Sequence, residues 1–174
     1  MTGSKTKNAW IALGSNLGDR LEMLRFAVAS LQDEVGISII RASSVYETPP
    51  FGPPGQSFYL NAVLHLEVTL DPQVLLSKLH RIEILAGRVR STTRNEPRVL
   101  DLDLLSWEFS CLESKNLTLP HPRMHQRDFV LVPLLEIEPQ WIHPKLKKGV
   151  KDLLDSLPKI SVLQPLPGVQ LWPL

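Results

Sequence analysis

The sequence predicts an α+β fold, an antiparallel sheet with two helices packed on one face, and three observations lead there. Segments with strand and helix patterns follow one another as strand, helix, strand, strand, helix, strand. Both helical stripes are bracketed by capping residues, and the strands between them alternate apolar and polar side chains. That order is the split βαβ pattern, the ferredoxin-like βαββαβ arrangement, followed here by C-terminal additions.

Ala9 to Leu13 is a short apolar run ended by Gly14, a strand by its length. Asp19, with Glu22 three residues on, resembles a capping box and starts a helix near Arg20. Its stripe, Leu21, Leu24, Val28, Leu31 and Val35, is spaced by three and four, and Gly36 supplies a left-handed stop. β-Branched and aromatic residues predict a strand over 37–47. A second strand over 58–68 alternates Leu60, Ala62, Leu64 and Leu66 against Tyr59, Asn61, His65 and Glu67.

Asp71 as N-cap, Pro72 at the first helical position and Gly87 past the end bracket a second helix. Its stripe is Leu75, Leu79, Ile82 and Ala86. Residues 99–107 then alternate Leu100, Leu102 and Leu104 against Asp101 and Asp103. Short helices are expected over 129–138 and 150–157, each stopped by a proline.

At 174 residues the chain is read as a single domain over 1–174, with a core over about 9–144 and an extension over 145–174. Hydrophobic residues at 43% and charged residues at 21% exclude wholesale disorder and fibrous architectures. Nineteen Lys and Arg against eighteen Asp and Glu leave a formal +1, so a general nucleic-acid binder is not expected and any anion site must be local. Cys111 is the single cysteine, which rules out an intrachain disulfide and cysteine metal clusters. No apolar run approaches a membrane span, and Met1 to Asn8 is short and polar, so a cytoplasmic monomer with no membrane partner is the expectation.

With both helices on one sheet face, Leu60, Leu64, Leu100 and Leu102 should point at them, leaving Tyr59, Asn61, Asp101 and Asp103 on an open polar face. Two connections, 48–57 and 88–98, exceed the usual 2 to 6 residues or so and are read as either functional or floppy. Asp101 and Asp103, two apart on a strand, put both carboxylates on one face with Cα atoms about 6.7 Å apart, which suits oxygen ligation of magnesium. A solvated polar strand is the competing reading, weakened because Asp is poor in strands.

Arg88, Arg90, Arg94 and Arg98, opposed only by Glu96, make a local +3 (four minus one) that runs directly into the Asp pair. Guanidinium forks match phosphate oxygens, so cations beside metal-binding carboxylates suggest a magnesium polyphosphate substrate. The glycines at 14 and 18 lack the Gly-Lys-Ser/Thr ending of a phosphate loop, and 14–18 is read as a plain strand-to-helix turn. The proline-rich 48–54 segment is a stiff linker or a pocket wall bearing Phe51. Tyr59 and Asn61 are either ordinary exposed strand residues or a ring plane and an amide that read a flat heterocycle. His121, between Pro120 and Pro122, is either a phosphate contact or a turn residue without a role.

Five segments in order, Ala-Leu-Gly-Ser-Asn-Leu-Gly-Asp (12–19), Tyr-Glu-Thr-Pro-Pro-Phe-Gly-Pro (46–53), Tyr-Leu-Asn-Ala (59–62), Gly-Arg-Val-Arg (87–90) and Pro-Arg-Val-Leu-Asp-Leu-Asp-Leu (97–104), resemble the 6-hydroxymethyl-7,8-dihydropterin pyrophosphokinase family of folate biosynthesis. Pro-His-Pro (120–122) and Arg-Asp-Phe (127–129) extend the resemblance over roughly 9–144. It departs at Asn95, where many members have Trp, and at Pro122, where many have Tyr.

The resemblance implies transfer of pyrophosphate from ATP to the hydroxymethyl group of a reduced pterin, releasing AMP, with two magnesium ions. By position it implies a metal pair at Asp101 and Asp103 and catalytic arginines at Arg88 and Arg98. The pterin pocket would be Thr48, Pro49, Phe51, Tyr59, Asn61 and Phe129. Nucleotide contacts would come from Glu83, Arg90, Leu104, Thr118, His121 and Arg127. With both aspartates on metal, no carboxylate base stands out, and catalysis should rest on charge neutralisation and positioning. A ferredoxin-like RNA-binding module is the rival class, but such a module needs aromatics on its strands, and the fourth strand here carries acids.

Overall fold

The computed structural model describes residues 5–50, 55–88, 96–158 and 163–173. Phe51, Arg90, Arg94 and Asn95, singled out above, lie outside the described residues.

The elements run β1 (Lys7–Ser15), α1 (Arg20–Gln32), β2 (Ile37–Ala42), β3 (Tyr46–Thr48), β4 (Tyr59–Val68), α2 (Pro72–Leu85) and β5 (Asp101–Trp107). A hairpin, β6 (Leu112–Glu113) with β7 (Thr118–Leu119), follows. Then come a 3₁₀ turn (Met124–Gln126), α3 (Asp128–Ile137), α4 (Val150–Asp155) and β8 (Gln164–Pro165). The main sheet has the order β5-β1-β4-β3-β8, with β2 also paired to β4, and every pair is antiparallel. This is the expected ferredoxin-like core with C-terminal additions.

The caps act largely as the sequence predicts. Glu22 N donates to Asp19 Oδ1 at 3.1 Å, so α1 starts at Arg20. Val35, read as the end of that stripe, lies beyond the helix and is 87% exposed, because the helix closes on Asp33 instead. Asp71 precedes α2, but its carboxylate makes no capping bond; Pro72 fixes the entry. The strand expected over 37–47 breaks into β2 and β3 at Ser43, whose Oγ accepts from Val63 N at 2.9 Å. A side chain thus enters the ladder and turns the chain.

Leu60, Leu64, Leu100 and Leu102 join Leu24, Leu31, Leu75 and Leu79 in one core between sheet and helices. The opposite face is not open along its length, which corrects the sequence reading. Trp10, Val63 and Leu105 lie on it and are covered by Val130, Leu131 and Leu134 of α3 together with Trp141 and Leu153. An apolar Val63 and Leu105 in the polar register of their strands require such a cover, since leaving each exposed forgoes about 1.5–3 kcal/mol of burial. The polar half of the face, carrying Tyr59, Asn61, Asp101 and Asp103, is left uncovered by this packing and becomes the floor of a cleft.

Candidate active site

β1 is the centre of the cleft floor. Gly14 pairs with Asn61 on β4 and with Asp101 on β5, so three strands bring an amide and a carboxylate to either side of a residue without a side chain. A Cβ at Gly14 would stand 3.2 Å from Asn61 Oδ1 and 3.8 Å from Tyr59 Cδ1, so glycine keeps the floor open.

A cavity of about 150 Å³ rises from this floor, walled by Thr48, Pro49, Tyr59, Asn61, Arg98 and Phe129, with Asp101, Asp103 and Arg127 at its polar end. Every described residue of the expected pterin set therefore lines one cavity. Asn61, 7% exposed, donates through Nδ2 to Thr48 Oγ1 at 2.7 Å, which fixes the amide with its Oδ1 as the remaining acceptor.

A second cavity of about 330 Å³ is lined by Leu76, His80, Leu104, Thr118, His121 and Pro122, and it shares Asp103 with the first. Three of the expected nucleotide residues, Leu104, Thr118 and His121, lie here, whereas Arg127 lines the first cavity. Asp103 is the joint between two compartments of different character.

The carboxylates are held by cations. Arg88 Nη1 donates to Asp101 Oδ1 and Arg98 Nη1 to Asp101 Oδ2, each at 2.8 Å. Arg127 Nη1 donates to Asp103 Oδ2 at 3.1 Å, and His121 Nε2 stands 3.8 Å from the same oxygen. Burial, then the charge of Asp103, raises the Asp101 pKa, against the pull of the two arginines. Burial likewise lowers the His121 pKa, and Arg123 N donates to its Nδ1 at 3.2 Å, so its Nε2 faces Asp103.

Glu83 lies in neither cavity. It projects from the buried face of α2, is 4% exposed, and accepts from Leu102 N at 2.8 Å and from the Arg88 guanidinium. Burial pushes its pKa up to about 7 in spite of those bonds. It ties Arg88 to the backbone between the two aspartates.

Asn16, which the sequence reading did not single out, holds a residue of the cavity wall. It is 1% exposed; its Oδ1 accepts from Arg98 N at 2.7 Å, and its own N donates to Arg98 O at 3.1 Å. The segment 14–18 is thus a clamp on Arg98 as well as a turn. An Asn between two glycines was the available signal.

Among the described residues no group of three His, Cys, Asp or Glu side chains is placed to hold a metal. The aspartate pair nevertheless fits magnesium by donor chemistry, since that ion takes one or two carboxylates and completes its shell with phosphate and water oxygens.

A ferredoxin-like sheet that sets an arginine-held aspartate beside an amide-lined cavity has the groups to take a polyanion next to a polar ring. The chain belongs to the family described as 7,8-dihydro-6-hydroxymethylpterin-pyrophosphokinase, whose pattern matches residues 10–139. It is 42% identical over 163 residues to the 2-amino-4-hydroxy-6-hydroxymethyldihydropteridine pyrophosphokinase of Synechocystis, covering 94% of this chain and 83% of that one. The Bacillus subtilis protein of the same name is 44% identical over 129 residues, 74% of this chain and 77% of the relative. Folic acid synthesis protein fol1 of Schizosaccharomyces pombe is 36% identical over 159 residues, and there the match spans 22% of the relative. Among solved structures, the wild-type Plasmodium falciparum HPPK-DHPS with STZ-DHP superposes with a TM-score of 0.70 at 15% identity, over 89% of this chain and 44% of that one, a likeness of fold alone. No helix among the described residues is long and apolar enough to cross a membrane.

Proposed function

We propose that the chain transfers the pyrophosphoryl group of ATP to the hydroxymethyl oxygen of 6-hydroxymethyl-7,8-dihydropterin, giving the pterin diphosphate and AMP. The observation that carries this reading is Asp103 at the joint of the two cavities, one with an amide and ring wall, the other beside His121, with arginines around the joint.

The pterin lies on the floor over Gly14, with Asn61 Oδ1 reading its donors and Tyr59 and Phe129 flanking the ring. The nucleoside occupies the second cavity, against Leu104, Thr118 and His121. Asp101 and Asp103 would hold magnesium, two ions with the polyphosphate, which would supply Lewis-acid neutralisation of the phosphate charge. Arg88 and Arg98 move from Asp101 to the phosphate oxygens, where they stabilise charge that grows in the transition state. The pterin oxygen bonds to the β-phosphorus, the bond from that phosphorus to the α–β bridging oxygen breaks, and AMP departs with that oxygen. The hydroxyl proton passes to solvent, because Asp101 and Asp103 would both be committed to magnesium and Glu83 is buried away from either cavity. The enzyme works as a cytoplasmic monomer on small molecules.

Incubation with ATP, magnesium and 6-hydroxymethyl-7,8-dihydropterin should yield AMP and pterin diphosphate in equal amounts by chromatography. ADP formed in step with product would overturn the reading.

A further inference from the structure

We propose that the C-terminal segment from Gln164 to Trp172 is a positioning element of the pterin site, acting through β3. The inference rests on the reading that Thr48 and Asn61 meet the ring.

β3 is three residues long, and on its inner side it pairs with the two strand positions that line the cavity. Thr48 stands opposite Tyr59, and Tyr46 opposite Asn61. So short a strand carries few ladder bonds and would leave its outer edge unpaired. β8 occupies that edge. Pro165 pairs with Tyr46 and Gln164 with Glu47, and Leu166 N donates to Val45 O at 2.8 Å. A proline is tolerated there because an edge strand needs no donor on its outward side.

The tail is anchored as well as paired. Leu171 is fully buried in the main core, and Leu166, Val169 and Trp172 pack against the same cluster. β3 is therefore held between β4 and a strand that is itself pinned by a core residue. Its first residue and the chain just before it are tied from the other face: Tyr46 Oη donates to Glu136 Oε2 and Ser44 Oγ to Glu136 Oε1, each at 2.9 Å. At the cavity end, the Glu47 carboxylate meets Arg20 Nη1 at 2.8 Å, and the same nitrogen donates to Phe58 O at 2.7 Å.

What this scaffold delivers is the Thr48 hydroxyl. Thr48 Oγ1 takes one donor of the Asn61 amide and so decides which amide atom the ring meets. Loss of the outer partner lets β3 shift, Thr48 with it, and the amide loses its fixed orientation. Preorganisation of this kind acts on affinity for the ring rather than on the nucleotide cavity, which neither Thr48 nor Asn61 lines. The family pattern ends at residue 139, so this element lies outside it.

The test compares the full chain with a chain ending at Leu163 and with full-length Leu171→Asp, which pulls the anchor out of the core. Pterin affinity is read by fluorescence titration beside a non-hydrolysable ATP analogue, with steady-state constants and hydrogen exchange of residues 45–48. Both variants should raise the pterin Kd and KM about tenfold, leave the ATP KM within about twofold and speed exchange in β3. A folded shortened chain with unchanged pterin affinity overturns the proposal, as does an equal loss for ATP and pterin. Should the shortened chain not fold, Leu171→Asp and the milder Leu171→Ala decide on the same readouts. Asn61→Ala in the full chain is the separate arm: unchanged pterin affinity there overturns the site reading and leaves the pairing of β8 with β3 untouched.

Discussion

Arg98 and Asp101 are three residues apart, and the guanidinium of the first donates to the carboxylate of the second at 2.8 Å, while Arg88 takes the other oxygen. The chain thus supplies its own counter-ions at the aspartate that is assigned to metal. Metal arriving alone has to displace them, whereas metal arriving with a polyphosphate offers the arginines new partners. Arg98→Ala should therefore bind manganese, an EPR-visible stand-in for magnesium, about three- to tenfold more tightly without nucleotide. Turnover should nevertheless fall about a hundredfold, since a transition-state donor is gone. Arg98, which precedes β5, also lines the ring cavity beside Tyr59, so pterin affinity should fall a few-fold. Weaker manganese binding in the variant would count against the counter-ion role.

Asp103→Asn keeps side-chain size and removes one charge from the carboxylate pair. Its loss relieves the repulsion that helps raise the Asp101 pKa but weakens the bond from Arg127. Stability of the metal-free protein should stay within about 1 kcal/mol. Turnover should fall roughly a hundredfold or more, with a shifted magnesium dependence. A folded variant with near-normal turnover would remove the metal assignment.

His143 should set an acid limb of stability away from the active site. It is 3% exposed, and its Nδ1 accepts from Lys145 N at 3.3 Å and Leu146 N at 3.1 Å, closing the turn before α4. Burial, then the neighbouring His125, pushes its pKa down to about 4. The unfolded chain therefore takes the proton first, near pH 6.5, so stability is full above that value and is lost as pH falls towards 4. The loss is at most about 3 kcal/mol. His143→Asn keeps an acceptor but no titrating ring, and urea unfolding at pH 7.5 and 4.5 should show a smaller difference than in the parent. An unchanged difference would place the acid limb elsewhere.

Most of the core was legible because its signals are periodic. The two stripes, the caps of α1 and the alternation in β4 and β5 predict the ferredoxin-like order, and the Asp pair sits where period two puts it. What was not legible depends on partners distant in the chain. Ser43 enters the ladder through a hydroxyl, which no period records. Asn16 holds Arg98 through its side-chain Oδ1 and its backbone N, across 82 positions of chain. The proline-rich tail has the composition of coil, and only the free edge of β3 makes part of it a strand. Val63 and Leu105 were visible signals of a cover on the second face, since apolar residues in a polar register need one. Glu83 was visible too, as an acid on the stripe of α2, but the stripe alone did not distinguish a nucleotide contact from a buried brace.

Glu83→Gln separates those two roles. The Oε1 of Glu83 accepts from Leu102 N and from the Arg88 guanidinium, and glutamine retains an acceptor of the same reach while losing the charge. Because burial raises the carboxyl to about 7, the folded protein binds its proton more tightly than the unfolded chain, whose value is near 4.5. The stability tied to this group is thus present below about pH 4.5 and is lost as pH rises through about 7, a fall of at most about 3 kcal/mol. The variant should lack that fall, so its unfolding free energy at pH 8 should equal or exceed the parent's. Arg88, freed of one anionic partner, should be less well placed for the phosphates, lowering kcat about tenfold with the ATP KM within about twofold. A direct nucleotide contact predicts the opposite division, a raised ATP KM with kcat preserved. Parallel urea titrations and ATP saturation curves across pH 5 to 8 distinguish these outcomes, and a variant with parental kcat at pH 8 would show that Glu83 does not brace Arg88 for the reaction.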